Sequence, residues 1–345
     1  MKIRFNSDYT EGAHPDILKA LSEYNFVQHD GYGVDAYCEQ ARTLIRQQCA
    51  MPEADVHFLV GGTQTNTTVI SSILRPHQGV ICPETGHINV HETGAIESTG
   101  HKLLALPTDD GKITAEQIDA TYQGHWQDGN HEHMVQPGMV YISFPTENGT
   151  IYSRSELEAI YTTCQKYHLP LFIDGARLGY GLTSTKNDIS LEFLAHHCDV
   201  FYIGGTKVGA LFGEAVIICA EHLKNDFRYI IKQKGGMLAK GWLLGLQFVT
   251  LLEKGLYFKI AEHANKMAQL IHDAFAEKGI AFLYDSPTNQ QFPILKNSDL
   301  NRLSETFISD FWCKTDDQHT AVRFCTSWAT KKEDVETLIK AIKKL

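Results

Sequence analysis

The chain has 345 residues, 43% hydrophobic and 21% charged, with a formal net charge of -10. These proportions exclude a disordered chain, and the length suits one large and one smaller domain. The basic residues form no block, so a nucleic-acid surface is not expected.

The eight cysteines include no C-x-x-C pair, and several lie in apolar runs, as Cys219 does in AVIICA and Cys325 in VRFCTSW. They read as buried thiols of a reducing compartment. The opening MKIRFNSDYTEG has no apolar signal core, and no stretch reaches the length of a membrane span. A cytoplasmic protein away from membranes is the expectation. No metal site is expected.

In chain order, VHFLV (56–60), GVICP (79–83), KLLALP (102–107), MVYISF (139–144), PLFIDG (170–175), DVFYIG (199–204) and EAVIICA (214–220) read as strands. Their continuous apolar character fits a sheet covered on both faces. Between them lie helices such as SRSELEAIYTTCQKYH (153–168), with a serine start and an apolar stripe. The alternation predicts an α/β domain with a mainly parallel sheet. The polar segment HWQDGNHEHMVQPG (125–138) reads as a loop.

The pattern changes near Gly235–Gly236. Two helical runs follow, at about 240–254 and 257–278, then short strands at AFLYD (281–285), QFPIL (291–295) and AVRFCT (321–326), and a last amphipathic helix. The expected partition is a large domain over 1–238 and a small α+β domain over 239–345.

Three sites carry chemistry. Asp174 ends an apolar strand, where open α/β sheets bind ligands, although an acid before glycine can simply cap a turn. Lys207 follows another buried strand in GGTK; a desolvated lysine there can form a Schiff base with an aldehyde cofactor. In VGGTQTN (60–66) a strand, a glycine pair and a helix start suit a phosphate, with a plain N-cap at Thr63 as the alternative. Together they match the needs of pyridoxal phosphate: an amine for its aldehyde, an acid beneath its pyridine nitrogen and an anion pocket.

At these residues the sequence resembles the threonine aldolase and β-eliminating lyase family of fold-type I pyridoxal-phosphate enzymes. The resemblance runs from NSDYTEGAHPDILKAL through HDGYGVDAYCEQA, GGTQTN, GHINVHETGA, FPTENGTIYS, FIDGARLGYG and GGTKVGA to VRFCTSWAT. It implies a seven-stranded, mainly parallel sheet and retro-aldol cleavage of a β-hydroxy-α-amino acid such as threonine or allo-threonine. It also implies a homodimer or homotetramer with the site at a subunit interface. By the same likeness Lys207 would hold the cofactor aldehyde and Asp174 the pyridine nitrogen. Gly62 and Thr63 would hold the phosphate, Thr206 would also lie against the cofactor, and His87 would stack on the ring. Ser7, Arg177 and Arg323 would bind the substrate carboxylate, with Arg177 also beside the cofactor.

The base for the β-hydroxyl proton is expected to be His87, with His133 as second choice among 17 histidines. The family pattern is broken at Gly61, where serine is usual, at Thr206, in the VGALF stretch, and in KGGMLAKG (234–241), where Leu238 replaces a phosphate-binding arginine. Lys234 or Lys240 could substitute. β-Elimination is the alternative reaction, aminotransfer a third, and a chain that binds the cofactor without turnover a fourth.

Overall fold

The computed structural model describes residues 2–345. The central sheet contains β1 (Asp55–Leu59), β2 (Gln78–Pro83), β3 (Leu103–Leu106), β4 (Gln136–Ser143), β5 (Leu171–Asp174), β6 (Val200–Gly204) and β7 (Glu214–Ile218). These are the seven strands expected from the apolar runs. Their spatial order is β1-β7-β6-β5-β4-β2-β3, and every pairing is parallel except the two made by β7.

The continuous apolar runs have a plain cause: alternate residues feed two different cores. In β4, Val140 and Ile142 join the larger cluster, whereas Met139 and Tyr141 point into the smaller one on the other face. Two-sided burial removes the apolar/polar alternation of a half-exposed strand.

Helix α1 (Gly62–Ile73) follows β1 directly, and α2 (Arg154–Lys166) lies between β4 and β5. A capping box closes the start of α2: Ser153 Oγ accepts from the Glu156 N–H, and Glu156 accepts from the Ser153 N–H at 2.7 Å. Such a cap stabilises a helix by about 1 kcal/mol. The segment 125–138 is less loop-like than its composition suggests. It begins inside the helix Ala115–Gln127 and ends inside β4, with one 3₁₀ turn at His131–His133.

Helices α3 (Trp242–Leu252) and α4 (Leu256–Glu277) match the two expected runs. Helix α4 spans two cores. Tyr257, Ile260 and Ala264 pack into the large cluster, and Met267, Ile271 and Phe275 into a third one with Phe5, Phe324 and Leu338.

The last third adds β8 (Ile294–Lys296), β9 (Asp310–Lys314) and β10 (His319–Cys325), antiparallel in the order β8-β10-β9, and α5 (Lys332–Ile342). AFLYD contributes one isolated bridge, Phe282 to Pro293, rather than a strand. Pro293 has no N–H to extend a ladder there. Ile3–Arg4 pairs in parallel with Phe307–Ile308, so the N-terminal arm lies on this layer. Among the described residues no helix is long and apolar enough to cross a membrane. All eight cysteines are unpaired.

Candidate active site

Parallel strands bring their carboxyl ends to one edge, and the expected residues collect there. Asp174 ends β5, Lys207 lies three residues beyond β6, His87 four beyond β2, and the Gly61–Gly62 turn just beyond β1. The turns after β5 and β6 pass so closely that a Cβ on Gly175 would stand 1.8 Å from the Tyr202 carbonyl oxygen. Glycine is required at that approach. A cleft of about 640 Å³ opens at this edge, with Tyr9, His87, Glu147, Arg177, Lys207 and Arg323 in its wall.

Asp174 is buried and accepts four hydrogen bonds. Tyr202 Oη and the Ala176 N–H donate to Oδ1; Tyr141 Oη (2.7 Å) and Asn66 Nδ2 (3.1 Å) donate to Oδ2. Burial alone would raise its pKa, but the charge of His87 and these donors hold it below the usual carboxylate value. Among the described residues no lysine or arginine pairs with it. A buried anion held by neutral donors suits a cationic heterocycle. Tyr141 Oη can yield its place, because Ser143 Oγ lies 3.3 Å away as a second partner.

His87 is fixed from below. Its Nδ1 lies 2.7 Å from Glu92 Oε1, which also accepts from Asn66 Nδ2 at 2.7 Å. Asn66 thereby links Glu92 to Asp174. Burial opposes a charge on His87, but the Glu92 bond and the charges of Glu147 and Asp174 raise its pKa above the ordinary imidazole value.

The phosphate turn is open. Gly61 is the N-cap of α1, and no side chain caps the helix. The first backbone N–H groups of a helix have no intrahelical acceptor, and the dipole favours an anion beside them. A Cβ on Gly62 would lie 3.1 Å from Tyr202 Oη, so the turn is close-packed. Thr206 Oγ1 accepts from the Gly213 N–H at 3.0 Å, and its hydroxyl also bonds the buried Glu214 carboxyl. Lys234 places its carbonyl beside this turn, where it accepts from Gln64 Nε2 at 3.2 Å. Leu238 packs against the large core, and Lys240 is exposed.

The arginines are already engaged. Arg177 grips Asp8 through Nε (2.7 Å) and Nη2 (3.1 Å), which leaves Nη1. Arg323 donates to Gln290 Oε1, the Asn6 carbonyl and Asp310 Oδ2, and its buried Nε has no partner. Ser7 Oγ is also buried without a partner. Orphaned polar atoms of this kind mark a place for a ligand.

Asp8 tests the Arg177 arrangement. Burial works to raise its pKa, but Arg177 and Lys207 outweigh it and hold the carboxyl well below the usual range. The folded value lies below the unfolded one, so this stability is complete above the unfolded carboxylate pKa. It is lost as pH falls through the folded value. Asp8→Asn strands the buried Arg177 charge and is expected to cost about 3–5 kcal/mol. Urea unfolding at pH 7 measures this.

His133 is not brought to the site. It is exposed and precedes β4, whose other end, Ser143, faces the cleft. Eight residues of strand put it roughly 25 Å away. The sequence reading did not single out Asp8, Asn66, Glu92, Tyr141, Glu147 or Tyr202. Glu92 stood within the GHINVHE motif and Glu147 within TENG, which were the available signals.

Comparison with known proteins now defines the class. The fold is shared with the aspartate aminotransferase of Thermus thermophilus, at a TM-score of 0.73 and 12% identity over 100% of this chain and 92% of that one. That places the chain in the fold-type I architecture of pyridoxal-phosphate enzymes. The β-eliminating lyase family model matches residues 5–298, and the chain belongs to that family. It is similar to the threonine aldolase of Leishmania major, at 44% identity and a TM-score of 0.96 over 99% of both chains. It is 31% identical to the low specificity L-threonine aldolase of Pseudomonas aeruginosa over 99% of this chain and 97% of that protein.

Proposed function

We propose that this enzyme cleaves threonine or allo-threonine by retro-aldol chemistry to glycine and an aldehyde, with pyridoxal 5'-phosphate held through Lys207. The observation that carries the reading is that Asp174, Lys207 and the uncapped Gly61–Thr63 turn all lie at the carboxyl ends of β5, β6 and β1 on one edge of the sheet, with Lys207 in the cleft wall. Full-length likeness to threonine aldolases supports the choice of reaction.

When bound, pyridoxal phosphate supplies an electron sink for the charge left on the substrate's Cα. The protein's residues do the rest. Lys207 provides the amine that anchors the aldehyde. Asp174, kept ionised, holds the ring nitrogen in its protonated form. The N–H groups of Gly62 and Thr63 hold the phosphate, and Thr206 lies against the cofactor. His87, fixed by Glu92, covers the ring. Ser7 Oγ, Arg177 Nη1 and Arg323 receive the substrate carboxylate, since a guanidinium forks onto it. The residues 1–238 form the cofactor-binding domain in this reading, and 239–345 the smaller one.

A homodimer or homotetramer in the cytoplasm belongs to the same proposal. The unpaired cysteines suit a reducing compartment.

Incubation of the purified protein with threonine, allo-threonine, phenylserine and serine tests the reaction. Glycine and the matching aldehyde are expected from the first three. Pyruvate from serine, with no glycine from any β-hydroxy substrate, would establish β-elimination instead.

A further inference from the structure

Cleavage of the Cα–Cβ bond requires a group that accepts the β-hydroxyl proton. The histidines are each misplaced, otherwise engaged or unoriented. His133 is at the wrong end of the sheet. His87 has Nδ1 tied to Glu92, and its ring already has the task of covering the cofactor. His91, the other imidazole in the cleft wall, is exposed, and among the described residues no hydrogen bond orients its ring.

The carboxylates divide more informatively. Asp8 serves Arg177 in a bidentate pair. Glu92 serves His87, and Asp310 serves Arg323 at 2.8 Å. Asp174 is filled by four donors. Glu84, also in the cleft wall, is exposed and accepts from the Thr108 N–H at 3.2 Å, which leaves Glu147. Its Oε1 accepts from Ser143 Oγ at 3.2 Å, but Oε2 lies 3.7 Å from Arg177 Nη1, beyond hydrogen-bond reach. Arg177 is already neutralised by Asp8, so it does not require Glu147 as a counter-ion.

The backbone around Glu147 is held from several directions. The Thr146 N–H donates to the Thr150 carbonyl, and the Gly149 carbonyl accepts from Ser286 Oγ (3.1 Å) and Thr288 Oγ1 (3.0 Å). Gln290 Nε2 donates to the Glu147 carbonyl at 3.4 Å. The side chain therefore leaves a rigid turn and enters the cleft wall beside Arg177 and Lys207. A preorganised carboxylate with one open oxygen is what a general base requires.

We propose that Glu147 is the catalytic base of the retro-aldol step, accepting the β-hydroxyl proton at Oε2. This rests on the aldolase reading above. The O–H bond breaks toward Oε2, the oxygen's electron pair forms the aldehyde C=O, and the Cα–Cβ pair stays on Cα. Cα then takes a proton and leaves as glycine, while Glu147 returns its proton to cleft water. The net change moves one hydrogen from oxygen to carbon, with no oxidant or reductant.

The test uses Glu147→Gln in the cofactor-loaded enzyme, because the amide keeps the shape and the Ser143 contact but cannot accept the proton. Two rates are measured: threonine cleavage, and exchange of glycine's α-hydrogen for deuterium followed by NMR. Glycine has no β-hydroxyl, so its exchange does not need this base. Cleavage is expected to fall by at least about 100-fold, a general base's usual contribution, while exchange stays within about threefold. Cleavage within tenfold of wild type would overturn the proposal, as would an equal loss of both rates, which marks a structural role. Should the amide variant fail to fold, Glu147→Asp withdraws the carboxylate and is judged by the same ratio. Wild-type protein that neither cleaves threonine nor exchanges glycine would instead sink the aldolase reading itself.

Discussion

Lys207→Ala is expected to fold normally and to lose threonine cleavage by at least about 10⁴-fold, the scale on which deletion of a covalently acting residue is felt. The loss should be specific in a second way. Wild-type protein treated with pyridoxal phosphate and borohydride should acquire a stable adduct on the peptide containing Lys207, and the variant none. The site explains why the substitution spares the fold. The Lys207 carbonyl, which accepts from Tyr180 Oη, remains in place, and the neighbouring turn is held by the Gly205 and Thr206 N–H groups donating to the Gly213 carbonyl. The lysine side chain makes only a long contact with Tyr9, 6.0 Å from the ring centroid. Unchanged turnover in Lys207→Ala would refute the cofactor assignment, whatever the fold.

Asp174→Asn should be nearly as damaging by a different route. It removes the charge that keeps the heterocycle cationic but retains the size of the side chain. We expect cleavage to fall on the order of 10²–10³-fold, as when one preorganised electrostatic partner is removed from an active site. The borohydride adduct at Lys207 should still form, because the phosphate turn and the amine are untouched. Tyr141, Tyr202 and Asn66 currently donate to the carboxylate. An amide offers one acceptor oxygen in place of two, so a buried donor left unmatched should cost about 1–3 kcal/mol, measurable by urea unfolding. The direction of the wild-type shift adds a check. Asp174 is held below the ordinary carboxylate value, so it stays ionised above that range. An activity limb between pH 6 and 8 must therefore belong to another group. Full turnover in Asp174→Asn would mean the ring nitrogen is supported elsewhere.

The legible part of this fold was the part with a one-dimensional signal. Seven apolar runs became seven strands, and the serine before Glu156 became a capping box. β9 was missed because DFWCK is bounded by charges and is only half-buried, while AFLYD looked more strand-like and meets a proline. In the site, Lys207, Asp174 and His87 were visible because strand ends and glycine turns point to them. Their partners were not. Asp8 lies 169 residues from Arg177, and Asn66 joins Glu92 to Asp174 across 108 residues, so only folding reveals these pairs. The remoteness of His133 also has a one-dimensional signal. A residue preceding a parallel strand lies at the amino end of the sheet, away from ligands that bind at the carboxyl ends.

The pairing of Ile3–Arg4 with Phe307–Ile308 has a consequence for biosynthesis. Phe5 accepts from the Cys325 N–H, and Arg323 donates to the Asn6 carbonyl, so residues made among the first are completed by residues made some 300 positions later. During translation Asp8 can meet Arg177 early, but Phe5 and Asn6 must wait until the ribosome has released the region near residue 325. Only then can a nascent molecule add Arg323 to its carboxylate-binding corner.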